Sequence, residues 1–124
     1  MSPADQMTAV RVGFEAADAE KMAIYYRLHL PDLATMLSLT PRTLQHHAKQ
    51  SRRLDSVASE RLLRLARVAS HATAIFGDSI SAGGWLMRPH LSLLEATPLS
   101  MLDTAYGEQE VERILCSIEY GLLV

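Results

Sequence analysis

Apolar residues recur at threes and fours along most of this chain, which is the spacing of helices that bury one face. The clearest case is 55–77, DSVASERLLRLARVASHATAIFG, where Leu62, Leu65, Ala66, Ala69, Ala72, Ile75 and Phe76 form a stripe. Ser56 or Ser59 suits its cap, Glu60 its first turn, and Gly77 its stop. His71 lies within it and is expected to be a half-buried histidine bonded to a neighbour. Between 16 and 30, AADAEKMAIYYRLHL predicts another helix, with Met22, Tyr25, Tyr26 and Leu30 as its buried face. Asp78 to Met87 predicts a further one, carrying Trp85 as an anchor and weakened by Gly83-Gly84. Thr97-Pro98 reads as a cap-plus-proline start for PLSMLDT, and Gly107 as a break before the last helix, GEQEVERILCSIEY. In that helix Val111, Ile114, Leu115 and Ile118 share a face, and Glu108, Glu110 and Glu112 sit near the positive end of its dipole. Residues 1–15 are weakly patterned and expected to fray. No alternating apolar pattern with hairpin turns occurs, so the fold class is all-α with six to eight helices.

Between these elements, DLATMLSLTPRTLQHHAKQSRR (32–53) predicts two short helices and a tight turn. Leu33, Ala34 and Leu37 make the inner face of the first. Thr40 caps the second, with Pro41 at its first position, where a missing N–H costs nothing. Leu44 and Ala48 are its inward positions. This is a helix-turn-helix pattern, whose second helix can enter the DNA major groove. Arg42, Thr43, Gln45, His46 and Lys49 are then the candidate DNA-binding side chains on that helix, and Arg52 and Arg53 the candidates for the phosphate backbone.

Composition narrows the function. With 124 residues and 48% hydrophobic content, the chain has material for a core, and it has no apolar run long enough for a membrane span. Its first residues lack a signal-peptide pattern, and the lone Cys116 fits a reducing cytoplasm, which makes the expected location cytoplasmic. Cys116 is expected at an inert, apolar packing position. Net charge is −2, yet the stretch 42–67 holds seven basic and two acidic residues. The DNA face is therefore expected to extend to Arg61 or Arg64. The remaining residues are net acidic, and such asymmetry suggests one face for a polyanion and another for a different partner.

Chemistry with a sequence signature is missing. There is no HExxH, no paired CxxC, no phosphate-binding glycine loop and no nucleophile elbow. His46 and His47 are adjacent, so they point about 100° apart on a helix. No metal site, no cofactor, no catalytic residue and no small-molecule substrate are expected, and the protein is expected not to be an enzyme.

Several segments in order carry a resemblance: LATMLSLTPRTL, SERLLRLARV, FGD, the Trp85-Leu86-Pro89 element, TPLSMLDT and a late IEYG. Together, from about Leu28 to Val124, they resemble the Xre/MbcA/ParS antitoxin family. The resemblance implies an N-terminal Xre-like helix-turn-helix bundle (1–54) followed by a C-terminal helical toxin-binding region (55–124). It implies an antitoxin of a type II toxin–antitoxin system, whose partner is a RES-domain toxin that consumes NAD by phosphorolysis or hydrolysis. It further implies a homodimer that occludes the toxin's active site and represses its own operon by binding operator DNA. The toxin contacts would come from Arg113, Glu119, Tyr120, Gly121, Leu122, Leu123 and Val124, with the apolar tail and its carboxylate as a plug. The family turn commonly carries Gly where this chain has Ser38, and its recognition helix often carries arginines where this chain has His46 and His47. A stand-alone helix-turn-helix transcriptional regulator without a toxin is the alternative.

Overall fold

The computed structural model describes residues 1–121. Among them are seven α-helices: α1 (Pro3–Val12), α2 (Ala16–Tyr26), α3 (Leu30–Met36), α4 (Pro41–Gln50), α5 (Ser56–Phe76), α6 (Ser79–Leu86) and α7 (Ala105–Glu119). Two single 3-10 turns, Leu91–Leu93 and Leu99–Met101, precede α7. Extended pairing among the described residues is limited to two isolated bridges, Glu15 with Arg53 and His90 with Ala96. The fold is all-α. The chain divides into two compact units inside α5, between Leu63 and Arg64.

In the first unit α2, α3 and α4 pack on one another. The buried face of α2 is Ala16, Ala19, Ala23 and Tyr26. Of the expected face, only Tyr26 is fully buried; Met22, Tyr25 and Leu30 are half-buried. The alanines win because small side chains let the neighbouring backbones approach, and they leave Tyr26 to fill the gap. Leu33, Ala34, Leu37, Leu44 and Leu54 complete this core. Ala48, expected inside, is exposed, so Leu44 is the one fully buried side chain of α4.

The first residues are helical rather than frayed. Ser2 and Asp5 form a reciprocal capping box with Pro3 at the first helical position, so α1 is set by its cap. None of its residues is buried, which is why no apolar stripe announced it. Gly13 ends α1 at φ +94°, where a Cβ would stand 2.4 Å from the Leu54 carbonyl oxygen. The Leu54 N–H donates to the Phe14 carbonyl at 2.8 Å, and the Phe14 N–H to the buried Ser59 hydroxyl at 2.9 Å. These bonds tie the end of α1 to the start of α5.

In the second unit Leu65, Val68, Ala69 and Ala72 of α5, Ala82, Trp85 and Leu86 of α6, and Val111, Ile114 and Leu115 of α7 are buried. Trp85 is the expected anchor: its ring lies 5.7 Å from Phe76 and 5.0 Å from His90. His90 Nε2 donates to the Trp85 carbonyl at 2.7 Å. PLSMLDT forms a single 3-10 turn rather than a helix. The last helix starts at Ala105, two residues before its expected start, because Thr104 caps it by accepting the Gly107 N–H at 3.0 Å. Gly107 therefore lies inside the first turn and breaks nothing. At Gly84 a Cβ would meet nothing within 4 Å, so close helix approach does not explain that glycine.

Candidate functional site

The turn between α3 and α4 gives the first candidate surface. The Ser38 N–H donates to Thr35 and the Leu39 N–H to Ala34, at 3.0 and 2.9 Å. This reversal puts Ser38 at φ +62°, the left-handed region that favours glycine. Thr40 then accepts the Thr43 N–H at 3.1 Å and starts α4.

Arg42, Gln45, His46 and Lys49 are exposed. Their spacing of three, four and seven residues places them in one stripe, on the side of α4 away from buried Leu44. Thr43 stands apart: it is half-buried, and its hydroxyl shares a 2.8 Å bond with Thr40. His47 turns inward, its Nδ1 donating to the Thr43 carbonyl at 2.8 Å. No acidic residue occupies the first turn of α4, so the positive end of its dipole and Arg42 reinforce each other.

The other cations are already engaged to differing degrees. Arg52 is exposed and shares a cleft with Glu15, Glu20 and His47. Arg53 donates to the Gly13 carbonyl at 2.8 Å and lies 3.8 Å from the Glu15 carboxylate. Arg61 reaches the Met36 carbonyl at 3.5 Å. Arg64 does not extend the basic face: it is buried, donates to the Leu102 carbonyl at 3.1 Å and lies 3.7 Å from Glu108. Arg67 forks onto the same Glu108 carboxylate. The basic block of the sequence is thus split, and its last two arginines serve the packing of the second unit.

The second candidate surface is the outer side of α7 and the residues after it. Arg113 and Tyr120 are exposed and seven residues apart, on one stripe of the helix. Arg113 pairs with Glu110, its Nε 3.2 Å from the carboxylate. The carboxylate holds the guanidinium above its usual range, and the arginine holds Glu110 below the usual carboxylate range. Gly121 is exposed at φ +72°. Glu119 is exposed but belongs to another stripe, turned toward α5. Leu122, Leu123 and Val124 lie outside the described residues.

On that inner stripe His71 of α5 meets two carboxylates. Its Nδ1 donates to Glu112 in a short contact, and its Nε2 lies 3.3 Å from Glu119. Partial burial disfavours charge on the ring, but the two carboxylates outweigh it and raise the His71 pKa above 6.5. Cys116 stands in the same cluster. It is exposed, not at the inert, apolar packing position expected of it, because it lies across α7 from the buried Ile114. The potential ligand atoms of His71, Cys116 and Glu119 all lie within 4.8 Å of one another. Read helix by helix the sequence does not announce this constellation, since His71 is more than 40 positions from its partners. A signal existed in the spacing: Arg64, Arg67 and His71 follow one face of α5, and Glu108, Glu112 and Glu119 one face of α7. The two charge patterns pair in order along the helices.

Comparison with known proteins assigns both halves. Residues 5–67 match the profile of the "Antitoxin Xre-like helix-turn-helix domain", just over half of the chain. Residues 71–121 match the "Antitoxin Xre/MbcA/ParS C-terminal toxin-binding domain". The chain belongs to the Xre/MbcA/ParS antitoxin family. It is 35% identical over 80 residues to an Antitoxin Xre of Pseudomonas putida, a match covering 64% of this chain and 50% of that protein. It is 31% identical over 93 residues to an Antitoxin Xre of Photorhabdus laumondii, covering 74% and 63%. These matches thus span about half to three-fifths of the relatives' length. A "Prs ADP-ribosylating antitoxin" of Sphingobium sp. is 26% identical over 129 residues, covering 97% of this chain and 81% of that protein. No helix among the described residues is long and apolar enough to cross a membrane.

Proposed function

We propose that this chain is the antitoxin of a type II toxin–antitoxin pair, a non-enzymatic cytoplasmic regulator that neutralises its toxin by binding it. The match of residues 71–121 to a toxin-binding domain carries the reading. Residues 55–124 form the toxin-binding side. Arg113, Glu119, Tyr120 and Gly121 contact the toxin together with Leu122, Leu123 and Val124, and this segment occludes the active site. The exposed Tyr120 favours it: an aromatic left in water is a natural anchor for a pocket on a partner.

The partner in this reading is a RES-domain toxin that consumes NAD. The Sphingobium relative's name ties that protein to ADP-ribosylation, which also consumes NAD by moving ADP-ribose to an acceptor. Toxin chemistry and acceptor are therefore read together. The test is co-purification with the product of the adjacent gene, followed by an NAD assay with and without this chain. Neutralisation predicts a stable complex and preserved NAD. Phosphate, water or a protein as the acceptor is distinguished by the ADP-ribose product. Deletion of Gly121 to Val124 should abolish protection while the helical fold survives. Protection by the truncated chain would overturn occlusion by this segment.

Residues 1–54 form the DNA-binding side. Arg42, Gln45, His46 and Lys49 meet the groove from α4, and Thr43, Arg52 and Arg53 flank them. A single helix-turn-helix makes few contacts, so a homodimer on a two-fold operator is the expected form, repressing its own operon. The exposed stripe on α4 would also serve a stand-alone regulator. A neighbouring gene without a toxin, with operator binding retained, selects that reading instead.

A further inference from the structure

We propose that His71, Cys116 and Glu119 form a three-ligand Zn(II) site, with Glu112 as the carboxylate that orients the histidine ring. The site is built from two helices. α7 presents Glu112, Cys116 and Glu119 at spacings of four and three, one behind another on the same stripe. His71 of α5 stands opposite them. Nitrogen, sulfur and oxygen donors from side chains are the set Zn(II) takes, and three protein ligands leave the fourth tetrahedral position to water.

The ring is already oriented for a metal. Glu112 holds the Nδ1–H of His71, which leaves Nε2, 3.3 Å from Glu119, as the nitrogen for the metal. A carboxylate on the far nitrogen of a metal-binding histidine is the common supporting contact. The ligand atoms span up to 4.8 Å, whereas tetrahedral zinc with bonds of about 2.0–2.3 Å brings its ligands to roughly 3.3–3.8 Å apart. Cys116 and Glu119 are exposed, so the difference falls to two side chains that face solvent.

Charge also balances. On binding, the Cys116 thiol gives its proton to solvent, and the sulfur lone pair forms the Zn–S bond. Thiolate and carboxylate then offset the two positive charges of the ion, and His71, once its Nε2–H has also passed to solvent, donates that nitrogen's lone pair. The Glu119 carboxylate exchanges its contact with the ring for a bond to the metal.

The test needs neither toxin nor DNA. The whole chain, reduced and metal-free, is titrated with Co(II) as an optical probe and with Zn(II) as competitor. One Co(II) per chain, with a sulfur-to-cobalt charge-transfer band and the intense visible absorption of a tetrahedral ion, is the expected result. Zinc should displace it. C116S should abolish the charge-transfer band, and E119Q should weaken binding by more than the roughly tenfold loss expected for the supporting change E112Q. H71N should weaken it at least as much as E119Q. Since Cys116 and Glu119 are exposed, C116S and E119Q keep the test open even if H71N unfolds. A chain that gives no charge-transfer band overturns the site. So does binding unchanged in E119Q, which would reduce it to metal held by an exposed thiol.

Discussion

Arg67 and Glu108 meet as a fork: Nε donates to Oε2 at 3.0 Å and Nη2 to Oε1 at 2.9 Å. Arg64 approaches the same carboxylate at 3.7 Å from a buried position. One carboxylate, itself only 13% exposed, thus serves two guanidinium groups. Taking it away leaves a buried cation whose desolvation is no longer offset. E108A should lower unfolding free energy by about 3 kcal/mol, the range for breaking a buried ion pair from one side. Urea unfolding measures it. R67A should cost less, because Arg67 is about one-third exposed. A loss below about 1 kcal/mol in E108A would show that solvent replaces the carboxylate.

Gly107 predicts the opposite of its propensity. In a helix interior, Gly to Ala usually gains up to about 1 kcal/mol. Here a Cβ would stand 1.7 Å from the Met101 carbonyl oxygen, and backbone cannot yield as a side-chain tip does. G107A should destabilise by at least about 2 kcal/mol, as overpacking does. A thermal melt decides the sign, and a raised midpoint would mean that the 3-10 turn at Leu99–Met101 is free to move.

These two positions also mark what was legible in the sequence. Stripes over 56–76 and 105–119 showed where helices lie, because each buries a continuous apolar face. The helix-turn-helix was legible from Thr40-Pro41 and the leucines around it. α1 was not, because its cap rather than a buried face sets it. Gly107 looked like a break because composition does not reveal which backbone passes close by. The sharing of Arg64 and Arg67 with Glu108, and of His71 with Glu112 and Glu119, joins residues some 40 positions apart: the two complementary charge stripes are visible in the sequence, but each is a pattern within its own helix and does not name the helix it packs on. The exposure of Cys116 was legible in the register: it stands across the helix from Ile114 and Ile118, on the stripe of Glu112 and Glu119.

Ser38 carries a left-handed backbone without being glycine, at φ +62°. A side chain there costs roughly 1–2 kcal/mol, partly offset by the lower entropy of the unfolded serine chain. S38G should therefore stabilise the first unit, by about 0.5–1 kcal/mol, and S38V should destabilise it. Chemical unfolding of both variants tests the pair. An S38G chain less stable than the parent would show that the serine makes a compensating contact.

His71 gives the chain a pH-dependent stability. Burial works against its charge, but Glu112 and Glu119 raise its pKa above 6.5 in the folded state. The stabilisation is fully present below the unfolded value near 6.5 and is lost as pH rises through the higher folded value. With a chelator present, unfolding free energy should fall as pH rises from about 6.5 through the raised folded value, beyond the trend of H71Q. Proton NMR titration of the ring gives the folded pKa directly. A midpoint at or below 6.5 would contradict the raised value.

Operator binding should separate the arginines that the sequence grouped together. R42A and K49A each remove an exposed cation from the α4 stripe, and each should weaken binding and shallow its salt dependence by about one unit of slope. Q45A should instead act on sequence preference, since an amide reads a base edge rather than a phosphate. R53A should act on stability as well as affinity, because its guanidinium holds the Gly13 carbonyl. R64 variants should leave the slope of the folded protein unchanged, as Arg64 is buried against Leu102 and Glu108. Fluorescence anisotropy on the upstream DNA at several salt concentrations reads all of these. Salt slopes unchanged from the parent in both R42A and K49A would place the DNA face elsewhere than on α4.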